Sequence, residues 1–493
     1  MLVNDNQPSS TTSILSSSNT TSVNSYSSTN SNNVPHDLTS SYIFDLSSNA
    51  DSSIVSDVIS STISNSISST SDILNSAPQI TSSVNSSTVS SVTSSVLSSP
   101  SSMVSNTSTN NKPVTQQKSF TSGIWYSFED LDFKNTDVKG FKEKIDKMFD
   151  DAVDLGADAV ICQVRPFADA LYYSDYFPMS EILTGTQGKD PGYDALDYMV
   201  SAAHKRELQI HAWLNPYRVT LWNDDHTRLA DSNPAKIWLT DSDTENDRYV
   251  LKYNNRIYFN PSVKQVQTLI LNGVREIVKN YDVDGIHIDD YFYPSEPAVE
   301  NNFDKLEYDT YVSKGGKLSL DDWRRNNVDV LVSGMYRAVK AIDKSVIFGV
   351  SPSYHISSNG TDDNYKYKYA DIAMWMSNTG YIDYIAPQLY FGYDYPRAEI
   401  RFDYLLNRWM FIKRHSNLKI YIGLAAYKIG DSSADLNSGE WISSDDILAR
   451  QALDVKKANG NGVFIFAYSS IMSKEELNTA QRDNLAAVLK NTK

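Results

Sequence analysis

Cysteine occurs once in 493 residues, at Cys162, so neither an intramolecular disulfide nor a thiolate-held metal cluster can form. No run of about twenty apolar residues exists, and so no segment has the length to cross a bilayer as a helix. The opening Met1-Leu2-Val3-Asn4-Asp5 lacks the basic and apolar regions of a secretory signal. Positive charge is in deficit: 44 Lys and Arg against 60 Asp and Glu leave a net charge of -16 and a pI of about 4.9. That balance opposes the electrostatic attraction behind nucleic-acid affinity, so nucleic acid is not an expected partner. From Met1 to about Lys118 there is neither Arg nor Glu, and the segment is mostly Ser, Thr and Asn. Such a chain cannot bury enough apolar surface to offset its conformational entropy. Residues 1–118 are therefore expected to be a disordered tether. A tether of this composition leading to one enzymatic domain is what many surface-displayed bacterial hydrolases carry, so an extracellular or cell-surface location is expected.

Residues 119–493 have ordinary globular composition, and their length suits one large α/β barrel. Eight short runs read as strands: Gly123–Phe128, Ala159–Arg165, Leu208–Leu214, Gly285–Asp289, Val346–Ser351, Tyr384–Leu389, Ile420–Ala425 and Gly462–Ala467. Between the first two, apolar residues at Phe141, Ile145, Met148, Phe149, Ala152 and Leu155 keep helical spacing, closed by Gly156. Further helical stretches fall at 193–206, 262–280, 320–343, 397–415, 444–459 and 473–490. Strand followed by helix, eight times over, predicts parallel strands joined by right-handed crossovers and closed into a TIM (β/α)8 barrel. A doubly wound open sheet would present a Gly-rich loop after its first strand, and Ser127-Phe128-Glu129-Asp130 is not one.

In such a barrel, side chains at the C-terminal ends of the strands line the active face. The fourth run ends in Asp289-Asp290, and a pair of unpartnered acids after a buried strand is a poor way to build stability. Period-two alternation sets Gly285, His287 and Asp289 on one face, read as inward, with Asp290 at the lip. Glycosidic bonds need a proton donor for the leaving oxygen and a second group for the oxocarbenium-like centre, and two acids supply both. Adjacent acids suit a mechanism in which the substrate's own 2-acetamido oxygen attacks while one carboxyl orients it and the other acts as acid. Candidate substrate-binding residues are Arg165, Asp169, Trp213, Asn215, Tyr217, Arg218, His287, Tyr293, Tyr354, Gln388 and Tyr390, for their donor forks, amides, hydroxyls and rings. Asp169, Glu296 and Asp394 are alternatives for a second, distant carboxylate. Long loops at Val219–Asn260 and Phe292–Ser319, carrying Trp222, Trp238, Tyr253, Tyr258, Tyr308 and Tyr311, are expected to wall an open groove floored by the two acids. His211, His287 and His355 with Asp289 offer a zinc-dependent hydrolase or deacetylase as a rival reading, though no His-X-His or His-X-X-X-His element occurs. A non-catalytic carbohydrate-binding barrel is the other alternative. No cofactor or metal is expected, and the oligomeric state is left open.

Five ordered motifs carry a resemblance: Gln163-Val164-Arg165-Pro166 with Asp169-Ala170-Leu171-Tyr172; His211 to Arg218; Asp284 to Tyr291; Gly349-Val350-Ser351-Pro352; and Asp383 to Tyr390. Together they resemble the glycosyl hydrolase-like 10 family, from about Gly123 to the final helix. The resemblance implies a TIM-barrel glycosidase of bacterial type acting on amino-sugar polymers of the cell envelope, such as peptidoglycan glycan strands or poly-N-acetylglucosamine. It also implies that Asp289, Asp290, Asp169, Asn215 and Arg218 belong to the site-forming motifs. Ser353-Tyr354-His355-Ile356 departs from the Phe-Gly-Ile-Trp-like stretch common in the family after Ser-Pro.

Overall fold

The computed structural model describes residues 120–492 apart from 222, 254 and 295–302. The tether expected over 1–118, and the expectations for Trp222 and Glu296, lie outside the described residues. Among those described, eight parallel strands close into a barrel: β1 Thr121–Tyr126, β2 Ala159–Arg165, β3 Gln209–Leu214, β6 Gly285–Ile288, β7 Ile347–Val350, β8 Tyr384–Ile385, β9 Lys419–Ala425 and β10 Gly462–Phe466. The remaining two, β4 Val250–Tyr253 and β5 Arg256–Phe259, form an antiparallel hairpin inside the long loop after β3. Closure falls between first and last strands, with Thr121 opposite Gly462 and Ile124 opposite Ile465.

The outer ring has a helix after each stave: α1 Val138–Leu155, α2 Ala195–His204, α3 Lys264–Asn280, α4 Leu320–Ile342, α5 Ile372–Ser377, α6 Phe402–Phe411, α7 Ile447–Lys457 and α8 Glu476–Asn491. In α1 the six apolar residues of the expected stripe are all buried, because a 3.6-residue period puts them on the face that meets the strands. Asp137 caps its start by accepting from the Gly140 N–H, and Gly156 ends it in the left-handed region at φ 92°.

The strands form two cores. Even-numbered residues of β2, Val160, Cys162 and Val164, face the helices, while Ala159 and Ile161 face the barrel axis with Trp125, Trp213, Tyr384, Tyr421 and Phe464. Two glycines make the axis passable for large rings. A Cβ on Gly285 would stand 2.8 Å from the His211 ring, and one on Gly349 would stand 2.1 Å from the Tyr384 ring.

β8 is two residues long where six were expected. Pro387 has no N–H to give the ladder, although Gln388 resumes pairing as an isolated bridge to Ser353 and Gly423.

Candidate active site

β6 delivers Gly285, His287 and Asp289 toward the axis at successive heights. His287 is fully enclosed: its Nε2 accepts from Trp125 Nε1 at 3.1 Å, and its Nδ1 lies 2.8 Å from the Tyr384 hydroxyl. An indole N–H only donates, so the His287 proton sits on Nδ1 and points at Tyr384, whose own proton is left for His211 Nδ1 at 3.0 Å. Burial pushes His287 well below the usual histidine range and His211 down to about 4, so both rings are neutral. The expectation that His287 touches substrate is therefore corrected, since one layer of side chains separates it from the strand ends. This chain also dismantles the zinc constellation: His211 and His287 are spent on Tyr384, and His355 pairs with Asp363 at 3.3 Å. No group of three His, Cys, Asp or Glu side chains placed to hold a metal occurs among the described residues.

One layer higher, Asp289 accepts hydrogen bonds from three residues. Trp213 Nε1 donates to Oδ2 at 3.1 Å, Asn215 Nδ2 donates to Oδ1 and Oδ2 at 3.2 and 3.3 Å, and the Tyr291 N–H donates to Oδ1 at 3.3 Å as the chain turns away. Asn215 is held in turn, its Oδ1 accepting from the Arg218 N–H at 3.0 Å. Burial pushes the Asp289 carboxyl up to about 6; the Arg218 charge pulls down, the Asp290 charge pushes up, and the bonds from Tyr291 and Trp213 pull down again. Burial thus outweighs the like charge of its neighbour at this dipeptide.

Asp290 lies at the lip, with its side chain 13 % exposed against 4 % for Asp289 as a residue. Lys368 Nζ donates to its Oδ2, and Gln388 Nε2 lies 3.5 Å from its Oδ1 while also donating to the Ser351 carbonyl at 3.1 Å. Burial works against the Lys368 ammonium, but the charge and hydrogen bond of Asp290, with Tyr291 and Asp289 beyond, raise it above the ordinary lysine range. Sequence reasoning missed Lys368 because it lies in the irregular link after β7, where no period marks it. An open floor was expected for both acids; Asp290 keeps part of its side chain exposed and Asp289 lies beneath it, nearly buried.

Of the thirteen residues singled out, the structure gathers Asp289, Asp290, Trp213, Asn215, Arg218, Gln388 and Tyr390. Burial, then Tyr427 and the charges of Asp290 and Asp289, raise the Tyr390 hydroxyl well above the usual tyrosine range, and its ring stacks on Phe466 at 5.8 Å. Tyr354 is half-buried at the neighbouring loop, edge-on to Phe391 at 4.8 Å, and bonds to neither acid.

Four further expectations are corrected. A register shift between Gln163 and Arg165 flips Arg165 off the inward face, and its guanidinium rests on the Phe177 ring at 4.6 Å, sealed between barrel and helices. Asp169 is buried under the β2 loop, where Gln187 Nε2 donates to its Oδ2 at 3.0 Å; Gln187 Oε1 accepts from Asn233, tying this loop to the one after β3. Tyr217 faces the outer core, 1 % exposed. Tyr293 is packed against Tyr369 at 5.1 Å and accepts from Asn327 at 3.3 Å, which makes it the seat of its loop and not a substrate contact. The loop aromatics behave alike: Trp238 lies on Tyr249 and Phe259, and Tyr308 and Tyr311 lie on Trp323.

The fold is a (β/α)8 barrel whose polar groups converge on two acids at the C-terminal end of one strand. The sequence profile of the family described as glycosyl hydrolase-like 10 matches residues 121–443, and the chain belongs to that family. It is 39 % identical over 310 residues to glycosyl hydrolase YngK of Bacillus subtilis, covering 61 % of this chain and 58 % of that one. To glycosyl hydrolase DigH of Escherichia coli K12 it is 36 % identical over 307 residues, covering 59 % and 66 %. The matched region thus spans less than two thirds of either relative. Among solved structures, the catalytic domain of a Paenibacillus polymyxa beta-amylase superposes with a TM-score of 0.48 at 11 % identity, over 76 % of this chain and 99 % of that one.

Proposed function

We propose that this protein is a glycoside hydrolase that cleaves an amino-sugar polymer of the bacterial cell envelope, with Asp289 as proton donor and Asp290 as the acceptor that orients the substrate. The observation that carries the reading is the division of labour within the pair. Asp289 is buried, which pushes its carboxyl up to about 6, while the Asp290 side chain reaches the surface and pairs with the Lys368 ammonium. With a 2-acetamido sugar bound, Asp290 accepts from the amide N–H and turns the acetamido oxygen toward the anomeric carbon. As that C–O bond forms, the glycosidic C–O bond breaks and the Asp289 proton passes to the leaving oxygen. Water then opens the cyclic intermediate and its proton returns to Asp289. The names of YngK and DigH, both glycosyl hydrolases, support the reaction class. A cell-surface location follows the same proposal, supported by the Ser/Thr/Asn-rich segment ahead of the barrel.

The test is release of new reducing ends from peptide-free peptidoglycan strands and from chitooligosaccharides. Activity should fall as pH rises through about 6, where Asp289 loses its proton. Binding of these glycans without cleavage would instead mark a carbohydrate-binding barrel.

A further inference from the structure

Between β2 and α2 the chain turns at Tyr173-Ser174-Asp175-Tyr176, and the turn is fastened to the outer wall of the barrel. Ser174 Oγ donates to Glu276 Oε2 at 2.6 Å, and the Asp175 N–H donates to Glu276 Oε1 at 2.6 Å. Glu276 stands in the second half of α3, the helix that descends from the mouth toward the start of β6, so the turn hangs on the flank and not over the acid pair. Two cavities open there and meet at Asp190. One, of about 260 Å³, is lined by Tyr173, Asp175 and Tyr176; the other, of about 350 Å³, runs past Lys189 to Lys134. Neither is lined by Asp289, Asp290, Trp213, Asn215 or Gln388. Tyr173 is 47 % exposed, and neither its ring nor that of Tyr176 has another ring or a cation against it among the described residues. A lone exposed tyrosine is ordinary, but this one is held in place. Its hydroxyl donates to Asp190 Oδ1 at 2.8 Å, and the Gly192 N–H donates to the same oxygen at 2.8 Å. Asp190 Oδ2 and both carboxylate oxygens of Asp175 accept no hydrogen bond among the described residues.

We infer that this trough on the flank is a second, non-catalytic glycan site, which seats an uncharged amino sugar of the polymer on the Tyr173 ring with its hydroxyls donating to Asp190 and Asp175. The inference rests on the reading of the protein as a hydrolase of an amino-sugar polymer. A pyranose offers one face of C–H groups and a rim of hydroxyls, and its counterpart is an aromatic face with free acceptors at the edge. Because the bond to Asp190 fixes the ring before a ligand arrives, little side-chain entropy is lost on binding. A sugar carrying its own carboxylate at this position would face Asp175 and Asp190 as like charges, so the ring seated here is a neutral one. The second cavity continues the trough beyond Asp190 and gives room for the neighbouring sugars of a chain. A polymer long enough to reach both flank and mouth is then held at two points, and the second contact forms at the high effective concentration set by the first. A short oligosaccharide occupies only one of the two places and gains nothing.

The probes are long peptide-free peptidoglycan strands and tetrasaccharides cut from the same strands, so that only length differs. Binding is measured by calorimetry on the full chain carrying Asp289→Asn, with and without Tyr173→Ala, and cleavage by reducing ends on the wild type and Tyr173→Ala alone. Tyr173→Ala should weaken binding of the long strands at least about tenfold and slow their cleavage similarly, while tetrasaccharide cleavage stays at the wild-type rate. Tyr173→Phe, which keeps the ring and loses its bond to Asp190, should retain part of the long-strand binding. Equal long-strand binding with and without Tyr173→Ala would overturn the inference, as would failure of the parent to bind long strands at all. An equal loss of cleavage on strands and tetrasaccharides would also overturn it, because the residue would then act through the mouth. Long-strand binding that depends on Tyr173, without cleavage by the wild type, would leave the flank site standing and refute the hydrolase reading. Circular dichroism on each variant separates loss of fold from loss of binding. Should Tyr173→Ala not fold, Asp190→Asn, which removes the like-placed charge and keeps an acceptor for Tyr173, is compared in its place and should bind long strands more weakly than the parent; unchanged binding would overturn the inference.

Discussion

At the scale of single residues, burial raises the pKa of several carboxyls, Asp169, Glu276, Asp289 and Asp329 among them, and the setting of each decides what the shift means. Asp289 and Asp169 are both pushed up to about 6 by burial, but only Asp289 stands among groups that reach the mouth. The linkage sign follows from the direction. A carboxyl whose folded pKa lies above its unfolded value binds its proton more tightly when folded, so it costs stability as pH climbs from about 4 to about 6, and the full cost persists above that. Asp169→Asn keeps the bond from Gln187 and removes the charge. It should therefore stabilise the protein at pH 7 by on the order of 2–3 kcal/mol, with no gain below about pH 4 and no change in turnover. Denaturant melts at both pH values, with parallel assays, check this; loss of turnover would return Asp169 to the site. Lys368 tests the other side of the pair. Lys368→Met should lower kcat/KM on the order of 10–100-fold without unfolding, because Asp290 loses the group that fixes its orientation, and Lys368→Arg should recover part of it.

At the scale of elements, the barrel interior is a stack of rings made possible by missing side chains. Gly349→Ala would drive a methyl into Tyr384 and disturb the hydrogen bonds to both His211 and His287, for an expected loss of about 1–3 kcal/mol in thermal or urea melts. Retained stability would mean that Tyr384 can move aside. The periodic signals that mark strands and helices were legible because they are local: the α1 stripe and its closing glycine were readable without knowing any partner. What escaped was set by register and by unlike neighbours. The shift between Gln163 and Arg165 that turns Arg165 outward leaves no trace in composition, and β8 was overcounted because the run continues past Pro387. Site residues on regular strand ends, Asp289, Trp213 and Asn215, were readable from alternation. Lys368, on an aperiodic link, and the setting of Arg218 by the rings of Phe128, Phe167 and Tyr291 at the ends of three staves required the fold.

At the scale of the whole molecule, closure matters more than the extent of family likeness. The family profile ends at residue 443, yet β1 pairs with β10 at Gly462–Phe466 and α1 packs on α8. A chain ending at 443 would leave β1 and β9 with open edges and should show no cooperative melt; a cooperative transition would mean that the barrel closes by another route. The central claim is that an acid pair ending β6 breaks glycosidic bonds, and the most direct measurement is the rate of new reducing ends from peptide-free peptidoglycan strands by the wild type, Asp289→Asn and Asp290→Asn. The account predicts turnover by the wild type and a loss of at least about a hundredfold in each variant, with glycan binding retained in Asp290→Asn. Wild-type rates in both variants would contradict it.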